Sequence, residues 1–217
     1  MPPLVFWDED TQHDFVSPDG RLYVPGAEAL RPALRALTDF AHTHDIPLVA
    51  TADDHELTDP EISAEPDWTT TFPPHCMRGT PGQLKIVETT LRNPLVLEPV
   101  LHDLTQTTRR LREHRGDFLI LKHELDSFSN PNTLVLLNLL APEAIVLYGV
   151  ATDFCDRLAV EGLLRERPGA QLFFVNDAAR AIDPERGNAL VRDWASRGVR
   201  SITTRELLSG QALEAWL

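Results

Sequence analysis

The chain is poor in cysteine, poor in positive charge and free of long apolar runs, and each shortage removes a class of function. Its only cysteines, among 217 residues, are Cys76 and Cys155, too few for the disulfide framework of a small secreted domain. Lys and Arg together number 20 against 33 Asp and Glu, a formal net charge of −13. With no basic cluster anywhere, neither a phosphate backbone nor an anionic lipid surface finds a cationic footprint, so nucleic acid and membrane are not expected partners. No segment approaches the roughly 18 apolar residues of a membrane span. The opening "MPPLVFWDED" has no basic n-region and reaches acids after a four-residue apolar run, unlike a secretory signal. The expectation is a cytoplasmic protein with both thiols free. Internal repeats and low-complexity tracts are missing too.

What is present is ordinary globular composition, 42% hydrophobic and 24% charged, which supports one domain over residues 1–217. Short β-branched runs, "LVFW", "IPLVAT", "DFLILK", "AIVLYGV", "QLFFVND" and "SIT", alternate with helical patterns. In "GAEALRPALRALTDFAHTHD", Leu30, Leu34, Leu37 and Phe40 fall at three- and four-residue spacing on one face. Further helices are expected near residues 99–115, 131–140, 154–166, 184–197 and 205–216. The alternation predicts an α/β fold, a doubly wound, mainly parallel six-stranded sheet with helices on both faces. Residues 53–82 break the rhythm: they hold five of the 17 prolines and show little periodicity, and so long a loop in a compact domain is usually functional.

Ligands of an open parallel sheet bind beyond the carboxyl ends of its strands. There the sequence places the acids of "DEDTQHDF", Lys122 at the end of "DFLILK", and Cys155 in "GVATDFC". An acid to take a thiol proton, an ammonium to favour the thiolate and a nucleophilic sulfur form a coherent set. Cys155 also opens the helical "CDRLAVEGLL", whose N–H groups would favour a thiolate and could hold an oxyanion. On these grounds alone Cys155 reads equally well as a small buried hydrophobe. His13 is a weaker partner for the thiol, and His123, next to Lys122 on a strand, points to the opposite face.

In order and spacing, "DEDTQHDF", "LILK" and "GVATDFC" resemble the opening, lysine strand and nucleophile segment of the isochorismatase-like cysteine hydrolases, over nearly the whole chain. The resemblance implies a Rossmann-like strand order and a catalytic triad of Asp10, Lys122 and Cys155, with Gln12 and Asp14 holding the loop. It also implies a cis Val150–Ala151 peptide and an oxyanion hole made by the amides of Ala151 and Cys155.

"ATADDHE" and "FPPHC" add a second constellation. Residues two apart in extended chain project to the same side, so Asp53 and His55 can share an ion, and His75 follows twenty positions later. Solvated loop residues would explain the same pattern. The resemblance to the nicotinamidase and pyrazinamidase branch, which binds a divalent metal through an Asp-x-His pair and a later histidine, implies metal ligands at Asp53, His55 and His75. A mixed oxygen and nitrogen set suits Zn²⁺ first, with Mn²⁺ or Fe²⁺ as alternatives. Cys76 is then a packing residue. Phe72 stands where that branch has tryptophan, and with Phe15 it is the candidate for stacking on a substrate ring.

The expected reaction is ammonia release from a small carboxamide, nicotinamide to nicotinate first. The alternatives are another amide or ureide, an isochorismatase-type hydrolysis, against which Cys155 itself speaks, and a non-catalytic metal- or partner-binding module. "KHELDSFSNPN" is shorter than the matching segment of familiar nicotinamidases, which reshapes one pocket wall. Relatives of this kind form homodimers or homotetramers. Trp194, Trp216 and "ALEAWL" would serve such an interface or cover the chain's own core.

Overall fold

In the computed structural model, which describes residues 4–100 and 103–217, the strands are β1 (Leu4–Glu9), β2 (Leu48–Asp53), β3 (Leu95–Leu97), β4 (Phe118–Lys122), β5 (Ala144–Val150), β6 (Gln171–Arg180) and β7 (Arg200–Ile202). They form one sheet in the order β3-β4-β2-β1-β5-β6-β7, every pairing parallel. The doubly wound parallel sheet is as expected, with seven strands in place of six. The additional one, β3, is three residues long at the sheet edge. Pro94 and Pro99 flank it, and so short a run has no readable period.

The helices are α1 (His13–Val16), α2 (Arg31–Thr43), α3 (Leu104–Glu113), α4 (Pro131–Leu140), α5 (Cys155–Glu166), α6 (Pro184–Ser196) and α7 (Thr204–Leu208). α1, a single turn, has no counterpart among the expected helices, and two of the expected helices differ in extent. The helix expected from residue 99 begins at Leu104, where the Asp103 side chain caps it by accepting from the Gln106 amide; residues 101 and 102 lie outside the described residues. The helix expected over 205–216 is a single short one, α7, begun by a Thr203–Glu206 capping box and stopped where Gly210 takes a left-handed φ of 80°.

Strand alternation sorts the core into two layers. Leu4 and Phe6 of β1, Val146 and Tyr148 of β5 and Phe173 of β6 pack with Leu34 and Leu37 of α2 and Leu207 of α7. Val5 and Trp7, Ile145 and Leu147, and Phe174 face the other way, against Leu136 of α4, Leu163 of α5 and Trp194 of α6. Trp194 is fully buried, edge-on to Phe174 at 5.1 Å, and Trp216 packs on Phe173 at 5.7 Å, so both tryptophans cover the chain's own core. Among the described residues no helix is long and apolar enough to cross a membrane.

From β1 the chain moves to β2 on one side and later to β5 on the other, so the topological switch lies between β1 and β5, where such sheets open a ligand crevice. Gln12 locks this edge: its amide nitrogen donates to the carbonyls of Asp53 (2.8 Å) and Gln83 (2.7 Å), and its oxygen accepts from the Asp53 amide at 2.7 Å. Asp14 ties in the long loop by accepting from the Cys76 amide at 2.7 Å.

At the switch, Gly149 has a φ of 139° and passes so close to β1 that a Cβ there would lie 2.0 Å from the Glu9 carbonyl oxygen. Both are fixed backbone, with no flexible side chain to yield. Gly149→Ala is expected to destabilise the protein by about 3 kcal/mol. The check is a urea melt, in which the midpoint should fall at an unchanged slope.

Candidate active site

Each reactive group of the site sits where a strand ends. Asp53 closes β2 directly opposite Lys122, which closes β4. Asp10 follows β1 with a φ of 48°. Its amide donates to Thr51 Oγ1 at 3.0 Å, and that hydroxyl donates back to Asp10 Oδ1 at 2.6 Å, so the neighbouring strand aims the carboxylate. Beyond β5, the Val150–Ala151 peptide is cis and Cys155 is the first residue of α5. The Phe154 and Asp156 amides both donate to the Ala151 carbonyl, at 2.9 and 3.1 Å, a tight turn at the helix start.

Lys122 joins these groups. Its Nζ lies 2.9 Å from Asp10 Oδ2, donates to Asp53 Oδ1, and is 3.9 Å from Cys155 Sγ. Burial alone would discharge the amine, but Asp10 and Asp53 raise its pKa well above the usual lysine value, so it stays an ammonium. Cys155 is pushed the other way from catalytic need: burial raises its thiol well above the ordinary range, against the opposing pull of Lys122. The ammonium acts in the direction read from the sequence, and burial outweighs it. The resting sulfur is a thiol, and a base must take its proton. Lys85 is the chain's other lysine. It is almost as buried and lies 3.1 Å from Asp8.

Next to the triad, four donors converge. Asp53 Oδ2 is 3.4 Å from His75 Nε2 and 3.6 Å from His55 Nε2, and Glu61 Oε1 is 3.6 Å and 3.9 Å from the same two nitrogens. One ligand atom from each of the four residues lies within 4.8 Å of all the others. Donors about 2.1 Å from a tetrahedral ion stand about 3.4 Å apart, so these spacings fit a divalent metal. Asp53 Oδ2, both histidine Nε2 atoms and Glu61 Oε2 are buried without a hydrogen-bond partner, a cost that a bound cation removes. The far ring nitrogens are already held, His75 Nδ1 by the Pro73 carbonyl at 2.8 Å and His55 Nδ1 facing Asp59 at 3.4 Å, which aims Nε2 inward as metal-binding histidines require. Burial and the Asp53 charge push Glu61 up to about 8, despite Lys122 and His55; a divalent ion among these donors reverses that penalty.

Glu61 is the residue that sequence reasoning missed. It lies in a loop crowded with acids, and only the Ile62–Phe72 bridge, with the Phe72 amide donating to the Glu61 carbonyl at 2.8 Å, folds it back over His75. The other expected residues, Asp10, Lys122, Cys155, Asp53, His55 and His75, are brought together. His13 lies 3.5 Å from Asp19, and His123 faces Asp54 at 3.8 Å. Cys76 is buried in the core. Phe15 and Phe72 both line a narrow cavity of about 20 Å³ above Cys155, with Ala151, Phe154 and Ile182 among its other walls. A wider cleft of about 890 Å³ opens at the other end of the strands, between His42, Arg92, Arg112 and Phe118, and contains none of these groups.

The isochorismatase domain family matches the chain over residues 4–206. The chain belongs to that family. Nicotinamidase/pyrazinamidase of Mycobacterium tuberculosis is 40% identical over 74 residues, which is 34% of this chain and 38% of that enzyme. This isochorismatase-family protein therefore matches well under half of that relative's length. A pyrazinamidase of Pyrococcus horikoshii, solved in complex with zinc, superposes with a TM-score of 0.72 at 21% identity, over 93% of this chain and 99% of that one. N-carbamoylsarcosine amidase of Thermoplasma acidophilum gives 0.67 at 24% identity, over 94% and 97%. At these identities the likeness is one of fold.

Metal binding is checked by melting chelator-stripped protein with and without Zn²⁺. An ion at about 100 times its dissociation constant stabilises the native state by about 2.7 kcal/mol, here a rise of about 5 to 10 °C in Tm. His75→Ala should abolish the rise and the bound metal, and Glu61→Gln should reduce both. No rise and no bound metal in the unaltered protein would refute the metal centre.

Proposed function

We propose that the protein is a cysteine-dependent amidohydrolase that releases ammonia from a small planar carboxamide, most directly nicotinamide to give nicotinate. The observation that carries this reading is the Lys122 ammonium, 2.9 Å from Asp10 and 3.9 Å from the Cys155 sulfur, which gathers a base and a nucleophile beneath a cavity beside the metal donors.

In this reading Asp10 takes the Cys155 proton as the sulfur attacks the amide carbon, and Lys122 balances the negative charge that forms. The carbonyl π bond opens onto oxygen, and the amides of Ala151 and Cys155 hold the oxyanion. As the carbonyl re-forms, the C–N bond breaks and the departing nitrogen takes the proton from Asp10, leaving as ammonia. Water, deprotonated by Asp10, then attacks the thioester, and the acid leaves as the thiol is restored. A divalent cation held by Asp53, His55, Glu61 and His75, Zn²⁺ being the best match to the donor set, would supply a Lewis-acidic anchor for a ring nitrogen of the substrate. The remaining walls favour an uncharged ring. They are largely apolar.

The test is ammonia release from nicotinamide by metal-loaded protein. Cys155→Ala should lower turnover at least about 1000-fold, and Asp10→Asn by about 100-fold or more, with the circular dichroism spectrum and metal content retained. Substantial turnover by Cys155→Ala would refute the nucleophile.

A further inference from the structure

The cavity above Cys155 is too small for the reaction just described. Its volume of about 20 Å³ admits little more than one water molecule, whereas small-molecule sites begin near about 300 Å³. A wall must move, and most walls are fixed. Val150 ends β5 and Ala151 follows it, its carbonyl accepting from the Phe154 and Asp156 amides. Phe15 is a buried member of the core. Phe72 is buried, and its backbone is held at both ends, its amide on the Glu61 carbonyl at 2.8 Å and its carbonyl by the Ser63 amide at 2.9 Å.

The partly exposed walls include Leu22, Leu125, Phe154 and Ile182. Of these Phe154 is the bulkiest, and it adjoins the nucleophile in the chain. Its main chain is pinned, the amide donating to the Ala151 carbonyl at 2.9 Å and the carbonyl accepting from the Leu158 amide at 3.2 Å. Its ring is held more weakly, by the edge-to-face contact with Phe72 at 5.7 Å and by the Arg186 guanidinium at 5.2 Å. Arg186 is exposed in the first turn of α6, and among the described residues it has no carboxylate within ion-pair distance. The ring of Phe154 is therefore the side-chain partner of this guanidinium.

We propose that Phe154 is a side-chain gate over Cys155, latched by Arg186, and that it sets the largest acyl group the site accepts. The second half of this statement rests on the amidohydrolase reading. Rotation about the Phe154 side-chain bonds opens the cavity without moving the oxyanion amides, because the main chain stays bonded. A flat amide then occupies the space beside Phe72 that the Phe154 ring fills at rest. Arg186 is a positioning residue: it touches the gate and not the reacting atoms.

The experiment compares alkylation of Cys155 by iodoacetamide and by its bulkier N-benzyl analogue, with the labelled cysteine identified by peptide mass mapping. The ratio of the two rates cancels the thiolate fraction and reports space alone. In Phe154→Ala the bulky-to-small ratio should rise at least about tenfold, and in Arg186→Gln about two- to fivefold. If Phe154→Ala does not fold, the exposed Arg186→Gln decides. An unchanged ratio in every folded variant overturns the gate. The ratio of kcat/KM for a two-ring carboxamide to that for nicotinamide should rise in the same order. A higher alkylation ratio with no such gain, in protein that hydrolyses nicotinamide, overturns the size-limiting role. A higher alkylation ratio in protein that hydrolyses no amide upholds the gate and refutes the amidohydrolase reading.

Discussion

A fully buried ammonium, Lys122, is the constraint around which this structure is arranged. An ion of that kind is tolerated only when opposite charges and hydrogen bonds replace the water it has lost. Asp10 and Asp53 supply them from two different strand ends. The same ammonium therefore faces two groups at once: it lies 3.9 Å from the Cys155 sulfur, and the second oxygen of its partner Asp53 faces the histidines. Removing the ammonium would leave two facing carboxylates in the interior, so Lys122 is the member of the three that the arrangement can least lose. Asp8 and Lys85, paired behind the loop that follows β1, repeat the arrangement on a smaller scale.

The sheet makes this convergence inexpensive in chain length. Four parallel strands deliver Asp10, Asp53, Lys122 and the turn before Cys155 to one edge without any long excursion. The long excursion that does exist, residues 53–82, carries His55, Glu61 and His75. It is fastened where it leaves and where it returns, through Gln12 and Asp14. Glycine at position 149 lets β5 run close enough to β1 for the thiol and the base to share one crevice.

Much of this was legible because strands of a parallel sheet are short apolar runs with clear ends. Asp10, Lys122 and Cys155 stand immediately after such runs, and the Asp53-x-His55 pair follows another, so element assignment and site assignment were one inference. What escaped the reading lacked that punctuation. β3 is three residues between prolines. The last helix stops at a glycine that an otherwise helical pattern disguised. Glu61 is one acid among many, and only tertiary folding of the loop distinguishes it from Glu56 or Glu65. The direction of the Cys155 shift escaped for a different reason: charge partners can be read from sequence order, whereas complete burial depends on how every wall of the cavity packs.

The two lysines lead to a consequence outside catalysis. Both amines are committed to interior carboxylates, so the positive charge of the folded surface is carried by arginines, with only the partly buried Lys85 near it. Reagents or enzymes that acylate, cross-link or conjugate lysine find Lys122 closed to them while the fold is intact. Modification at Lys122 thus reports the population of open molecules. The residue that becomes available on opening includes the one whose charge the interior most depends on, so a modified chain has lost the means to refold to the same arrangement.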